Sequence, residues 1–178
     1  MGCMSRQRGI SLIEVLVATL IFSIGLIGLA GLMVMATRSN HGAYLRTQVI
    51  FLANNMANRM SANSVGVWSG KYNSSGYPLA VASVDCSTTA CNATSLAARD
   101  QQMWSSQLRA FLPNPQATIT CGGTTSAGYN PTAQINFRPP YGGNCNMQIQ
   151  WSERSAGDQA SQSNAAAQIQ TFTWEFQP

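Results

Sequence analysis

The apolar stretch at residues 10–35 constrains this chain more than any other feature, because it carries a single charged side chain, Glu14. An α-helix rises about 1.5 Å per residue, so the stretch would form a helix of about 39 Å. That length exceeds the ~30 Å hydrocarbon core of a bilayer, and the stretch therefore predicts a helix that spans a membrane with tilt. A lone glutamate in hydrocarbon is costly, and we expect Glu14 to have a functional role.

A short basic leader with Arg6 and Arg8 runs directly into this stretch and ends at Gly9. Gly9 followed by the sequence ISLIE resembles the prepilin cleavage motif of type IV pilins and pseudopilins. The resemblance implies that a prepilin peptidase cuts between Gly9 and Ile10 on the cytoplasmic side and that the new N-terminus at Ile10 is methylated. It also implies that the apolar stretch is kept, first as a membrane anchor and then as part of a filament core.

Three other interpretations of the N-terminus are weaker. A secretory signal peptide has an apolar region of about 7–15 residues followed by a small-residue cleavage site. The sequence VMA at residues 34–36 imitates such a site, but the apolar run is too long and contains Glu14. N-myristoylation of Gly2 requires Ser or Thr where Arg6 stands. An inert membrane anchor leaves Glu14 unexplained.

Helical periodicity continues beyond the apolar stretch. Apolar residues recur there at three- and four-residue spacing, at Leu45, Val49, Leu52, Met56 and Met60. Because the first proline is Pro78, one helix is predicted over about residues 11–61, with its second half packed on a domain. Gly25, Gly28 and Gly31 weaken such a helix in water, whereas in lipid or in a filament they permit close helix packing.

A longer block makes the resemblance more specific. The sequence SIGLIGLAGL at residues 23–32, followed by LA, MA and RMSAN within residues 52–63, resembles the PilV-type minor pilins, also called pilus modification proteins. Further downstream the same likeness is carried by Asp100, Trp104, Leu108 and the pair Leu112-Pro113. The resemblance implies a type IV pilin fold.

The rest of the chain predicts an α+β domain. Residues 62–94 are rich in small polar residues and indicate an irregular connection, and a second helix is predicted over residues 95–112, capped by Thr94 or Ser95. Alternating apolar residues predict strands at residues 116–121, 133–138, 147–151 and 168–176. An antiparallel sheet of about four strands against the C-terminal half of the long helix would bury both apolar faces.

These patterns divide the chain into four parts. They are a leader at residues 1–9, a transmembrane and filament-core helix at 10–35, its amphipathic continuation at 36–63 and a globular domain at 64–178. The resemblance implies a single-pass inner-membrane protein with a periplasmic globular domain, which later becomes part of a type IV pilus at the cell surface.

The cysteines predict disulfides. Cys3 lies in the leader, and removal of the leader leaves an even set: Cys86, Cys91, Cys121 and Cys145. An even set in an exported domain favours disulfides, whereas the spacing and the absence of a nearby histidine make a zinc site a poor alternative. Four cysteines allow three pairings. Loop closure is least costly for neighbours, which favours Cys86 with Cys91 and Cys121 with Cys145.

Charge and motif content argue against several classes of activity. The net charge of +4 falls to +2 when Arg6 and Arg8 leave with the leader, which is too little and too scattered for a nucleic-acid surface. The single histidine, His41, has no acid or cysteine at ligand spacing, and it indicates a solvated residue just outside the membrane. We expect no catalytic site, no metal and no cofactor.

Three functions therefore remain, of which the first is favoured. By resemblance the chain is a minor pilin that helps initiate type IV pilus assembly near the tip, supporting twitching motility and adhesion. Its partners would be other minor pilins, the major pilin, the prepilin peptidase and a PilY-type tip adhesin. The alternatives are a type II secretion minor pseudopilin, which shares the N-terminus, and a pilin that binds DNA or a host surface.

The leader is expected to be removed between Gly9 and Ile10, because a small residue there separates a basic leader from a helix that must survive. Mass spectrometry of the pilus-associated protein should give a chain that starts at Ile10 with a methylated amine. Gly9→Val should leave the uncut precursor in the membrane. A mature chain that retains Arg8, or that starts after Ala36, would contradict this prediction.

Overall fold

The longest element of the structure is a single unbroken helix, α1 (Leu12–Ala62). The computed structural model describes residues 9–80, 84–87, 90–122, 130, 140–153 and 168–178. Within them, α1 packs against a second helix and a four-stranded antiparallel sheet, which confirms the predicted α+β pilin-like architecture. The predicted bounds of α1 are right to within one residue at each end.

Burial changes sharply along α1. No residue between Leu12 and Thr37 is buried, whereas the second half of the helix turns an apolar face into the core. This face consists of Leu45, Val49, Leu52, Ala53, Met56, Ala57 and Met60. Their spacing of three and four residues keeps them on one side of the helix, so the globular domain packs against α1 along about four turns.

The longer of the two remaining helices, α3 (Ala93–Phe111), lies against this face. Trp104 is fully buried between the two helices, and its indole N–H donates to the carbonyl oxygen of Leu52 at 2.9 Å. The predicted caps Thr94 and Ser95 are wrong, since the cap is Asn92, whose side chain accepts from the Ser95 N–H at 2.9 Å. The side-chain oxygen of an asparagine at the N-cap accepts from a backbone N–H of the first turn, just as a Ser or Thr hydroxyl would.

The connection between the two helices is more ordered than predicted. It contains a short helix, α2 (Ser64–Trp68), and a strand, β1 (Ser74–Tyr77). Asn63 ends α1 and caps α2, accepting from the Gly66 N–H at 3.2 Å. A Cβ on Gly66 would lie 2.5 Å from the Asn63 amide nitrogen, so only glycine allows this tight turn. The sequence lacks a periodic signal here because both elements are very short.

The sheet has the order β1-β2-β3-β4, with every neighbouring pair antiparallel. Its longer strands are β2 (Gln116–Gly122), β3 (Asn144–Glu153) and β4 (Gln168–Phe176). They confirm three of the four predicted strands, while the prediction at residues 133–138 lies outside the described residues. Ile119, Met147 and Ile149 point from the sheet into the core and are fully buried.

A polar cluster inside the domain joins α1, α3 and the segment before β1. Arg59 forms an ion pair with Asp100 at 2.9 Å, and the Tyr72 hydroxyl donates to the other Asp100 oxygen at 2.8 Å. Asn63 donates to the Tyr72 oxygen at 3.0 Å. Burial, strengthened by the Asp100 carboxylate, raises the pKa of Tyr72 well above its ordinary value. The Tyr72 hydroxyl is therefore neutral and can donate a hydrogen bond at physiological pH. The cluster connects α1, α3 and the segment before β1 through these hydrogen bonds.

Burial likewise raises the pKa of the neighbouring Tyr77 to about 12. Its hydroxyl donates to the backbone oxygen of Tyr72 at 2.8 Å and accepts from the Gln101 amide at 2.9 Å. Both phenols thus belong to the packed interior of the domain, where a neutral hydroxyl with satisfied partners is the stable form.

Asp100→Asn should destabilise the protein by about 1–3 kcal/mol, because it removes the charge that pairs with Arg59 and weakens a charge-assisted bond. The Arg59 side chain is 22% exposed, which keeps the loss below that of a fully buried pair. Urea unfolding followed by near-UV circular dichroism measures the change.

Glu175→Gln is the matched control, since this carboxylate is exposed and bonds only to Asn144 among the described contacts. Its effect should stay within about 0.5 kcal/mol. Equal losses in the free energy of unfolding for the two variants would contradict the prediction, because the buried ion pair of Asp100 would then add no more stability than an exposed carboxylate.

Candidate functional site

The first half of α1 is an apolar surface that nothing in the described chain covers. Its large apolar side chains are each at least half exposed, from Leu26 at 50% to Leu12 at 78%. A soluble monomer rarely exposes a continuous apolar surface of this size. Among the described helices, α1 is the one that is long and apolar enough to cross a membrane, and an 18-residue window within it has a mean hydropathy of 2.5. The surface therefore requires lipid or other subunits around it.

The two hydroxyl side chains in the apolar half of α1, Thr19 and Ser23, are arranged for an apolar environment. The Thr19 hydroxyl donates to the Leu16 carbonyl at 2.9 Å, and the Ser23 hydroxyl donates to the Thr19 carbonyl at 2.7 Å. Hydroxyls that bond back to their own helix expose no unsatisfied donor to hydrocarbon or to a neighbouring apolar helix. The surface can therefore be buried without desolvating a free hydroxyl.

The three glycines of the apolar half contact no other element among the described residues. A Cβ placed on Gly25, Gly28 or Gly31 would meet no atom within 4 Å. By contrast, Gly66 and Gly42 are each approached closely by a side chain of the folded domain. Small residues in an apolar helix allow another helix to come close, so the free space beside these three glycines suits contacts between subunits.

Glu14 lies in the first turn of α1 and is exposed. Its backbone N–H donates to the Ser11 carbonyl at 3.0 Å, and Ser11 is the N-cap, with extended backbone. Glu14 shares a shallow apolar groove with Ile10, Val15 and Phe22, among others. Within the described residues its carboxylate has no salt-bridge partner. Glu14 is thus an acid on an apolar surface with room beside it for a cation.

Local capping offers a second role for Glu14. Ser11 and Glu14 have the spacing of a capping box, in which the two side chains bond reciprocally to backbone N–H groups. The Ser11 side chain makes no such bond in the structure. A carboxylate in the first turn also interacts favourably with the positive end of the helix dipole. The S-x-x-E spacing is the sequence signal for this capping role.

The other predicted site residues lie elsewhere in the molecule. In the structure Cys86 is joined to Cys91 and Cys121 to Cys145. The second bridge links β2 to β3 at positions that face each other across the ladder. His41 is exposed on α1, one residue before the first buried position, Gly42.

Comparison with known proteins identifies the N-terminal region. The family profile of the prokaryotic N-terminal methylation motif matches residues 4–30, which include Gly9, Ile10, Glu14 and the first part of α1. No characterised protein and no solved structure matches the chain significantly. The methylation motif indicates a type IV pilin-like protein, a class that includes pseudopilins. It implies processing by a prepilin peptidase, membrane anchoring and assembly with other pilins.

Peptide mapping of the non-reduced protein should recover Cys86 linked to Cys91 and Cys121 linked to Cys145. Replacing both Cys121 and Cys145 by serine should lower the free energy of unfolding by about 3 kcal/mol, because the bridge closes the longer loop. The corresponding double variant of Cys86 and Cys91 is the control and should cost less. A peptide that links Cys91 to Cys121 would contradict this pairing.

Proposed function

We propose that this protein is a PilV-type minor pilin of the type IV pilus, which helps to initiate pilus assembly and forms part of a tip complex. The observation that carries the proposal is the uncovered apolar half of α1, which continues without a break into the core helix of the globular domain. Such a helix can pass from lipid into a filament while it carries its domain rigidly.

The N-terminal motif supports the pilin class, and the sequence beyond it supports the minor-pilin type. The motif match ends at residue 30, so it does not distinguish pilins from pseudopilins. The PilV-like residues at 52–63 lie in the last turns of α1, within the core of the domain. Arg59 there forms the ion pair with Asp100, which carries the same likeness. The resemblance thus extends to residues that hold α1 against α3.

In this proposal the subunit has two environments. Its leader, residues 1–9, is removed between Gly9 and Ile10, and Ile10 is methylated. Residues 10–35 then hold the chain in the inner membrane with the domain at 64–178 in the periplasm. On assembly the apolar helix moves among the helices of other minor pilins and the major pilin, and the free space beside its glycines allows close contact. The domain would face a PilY-type tip adhesin and support twitching motility and adhesion.

Glu14 acts in this proposal through charge pairing. Cleavage creates an α-amine on Ile10, which can neutralise Glu14 within one subunit or on a neighbour. An unpaired carboxylate in hydrocarbon is unfavourable by at least about 2.5 kcal/mol on insertion scales. Docking into a filament would relieve this cost, so that the charge pair gives direction and register to each arriving subunit. The exposure of Glu14 and the groove beside it are compatible with such a contact.

A type II secretion pseudopilin is the alternative, because it shares the methylation motif. The two functions differ in what a deletion abolishes. Loss of twitching motility supports the minor pilin, whereas loss of exoprotein release supports the pseudopilin.

Glu14→Gln tests the pairing, because it keeps the shape of the side chain and removes its charge. The variant should be processed and inserted normally but should be reduced about tenfold or more in sheared pili, measured by immunoblot against membrane levels. Glutamine also serves at the third position of a capping box, so a purely local capping role predicts normal incorporation.

Glu175→Gln is the control for this experiment, since it removes an exposed carboxylate from the domain instead of from the helix. It should reach pili at wild-type levels. Recovery of Glu14→Gln at the same level would show that Glu14 lies near the membrane interface and reaches water, with no pairing role.

A further inference from the structure

A groove lies between the globular domain and the part of α1 that follows the apolar stretch. It encloses about 590 Å³ and is lined from α1 by Thr37, Arg38, His41 and Leu45. The opposite wall comes from Pro113 and Asn114, which follow α3, and from Ser152 and Glu153 at the end of β3. The groove is thus bounded by the helix on one side and by the membrane-facing base of the domain on the other.

The depth of this groove follows from the length of the helix. Met35 is the last residue of the apolar stretch. With about 1.5 Å of rise per residue, Arg38 lies about 5 Å and Gly42 about 11 Å beyond it along the axis. The headgroup layer on each side of a bilayer is about 5–8 Å thick. Because a stretch of about 39 Å must tilt to fit a core of ~30 Å, these distances shrink to about 3 Å and about 8 Å along the membrane normal. The groove therefore extends from the inner part of the headgroup layer to its outer edge.

An acidic side chain lies at the deep end of the groove. The Glu153 atom Oε1 occupies the space where a residue other than glycine at position 42 would carry its Cβ, so Gly42 is what lets the carboxylate approach α1. The other oxygen, Oε2, is buried and has no hydrogen-bond partner among the described residues. A buried carboxylate oxygen without a donor is costly, and an ammonium group would supply that donor.

A basic side chain lies at the membrane end. Arg38 already has an interaction within the chain, but a guanidinium carries five N–H donors and can serve a phosphate as well. Arg38 and Gly42 are four residues apart, so the cation and the acid are offset by about 6 Å along the helix axis, which is about 5 Å along the membrane normal for the tilted helix. His41 and Asn114 also line the groove and can donate further hydrogen bonds.

We propose that this groove binds the headgroup of an ethanolamine phospholipid. The phosphate faces Arg38 near the membrane, and the primary ammonium faces Glu153 farther from it. This order matches the headgroup itself, in which the phosphate is attached to the acyl-bearing glycerol and the amine lies outermost. The groove binds the periplasmic base of the domain to the bilayer and sets the angle at which the domain stands before assembly.

The chemistry distinguishes this lipid from the others. A choline headgroup has no N–H donor for Glu153, and a glycerol headgroup has no cation at all. The inference rests on the membrane stage of the proposed function, because it requires residues 10–35 to span the bilayer.

Lipid retention by the full chain tests the inference. The chain is reconstituted in nanodiscs with equal amounts of phosphatidylethanolamine, phosphatidylcholine and phosphatidylglycerol, and retained lipid is counted by native mass spectrometry. The wild type should retain phosphatidylethanolamine about tenfold over either other lipid. Glu153→Gln should abolish that preference, and Gly42→Ala should weaken it by displacing the carboxylate while keeping its charge.

Arg46→Gln is the matched control, because Arg46 is an exposed cation of the same helix and does not line the groove. It should retain the preference of the wild type. Equal retention of the three lipids by the wild type, or preference for phosphatidylglycerol, would overturn the inference, as would an unchanged preference in a folded Glu153→Gln variant.

Vesicle flotation separates this outcome from failure of the proposed function. A chain that floats with vesicles but shows no lipid preference contradicts only the headgroup site. A chain that does not float at all contradicts the membrane stage itself.

Discussion

The packing of the second half of α1 into the globular domain is the contact on which the rest of the structure depends. Val49, Leu52 and Met56 are fully buried there, and the Trp104 indole bonds to the Leu52 carbonyl. Burying a large apolar side chain is worth about 1.5–3 kcal/mol, so this face holds the helix against the domain firmly. The first half of α1 is consequently presented as a rigid extension of the core and not as a flexible tail.

This arrangement gives one helix two different environments. Its first half has self-satisfied hydroxyls and free space beside its glycines, which suits lipid and neighbouring helices. Its second half is amphipathic and depends on the domain. The change between them occurs between Met35 and Gly42, where Arg38 and His41 face the groove at the base of the domain. Membrane anchoring, assembly with other pilins and the proposed headgroup contact all depend on the position of this boundary.

The polar cluster around Asp100 stabilises the other end of the packed helix. Arg59 from α1, Tyr72 before β1 and Asp100 from α3 meet there with hydrogen bonds of 2.8–2.9 Å. Because each partner satisfies another inside the domain, removal of any one leaves a buried polar group unpaired. Asn63, which bonds to Tyr72 and caps α2, extends this cluster to the end of α1.

Local patterns in the sequence were enough to predict the elements whose signals are long and periodic. The apolar run and the repeat from Leu45 to Met60 predicted α1, and period-two alternation predicted β2, β3 and β4, because such patterns reflect one buried face. The N-terminal motif indicated the pilin class in the same way, since its residues are contiguous. Glu14 could be singled out because a charge in an apolar run is conspicuous by itself.

Tertiary structure alone decided the features that depend on residues distant in the chain. The strand β1 and helix α2 are too short to carry a period, and they form because Tyr72, Tyr77 and Asn63 find partners in α3. The groove depends on the approach of Glu153 to Gly42, which no local spacing predicts. Neighbouring residues thus determined which segments form helix or strand, and long-range packing determined which side chains meet.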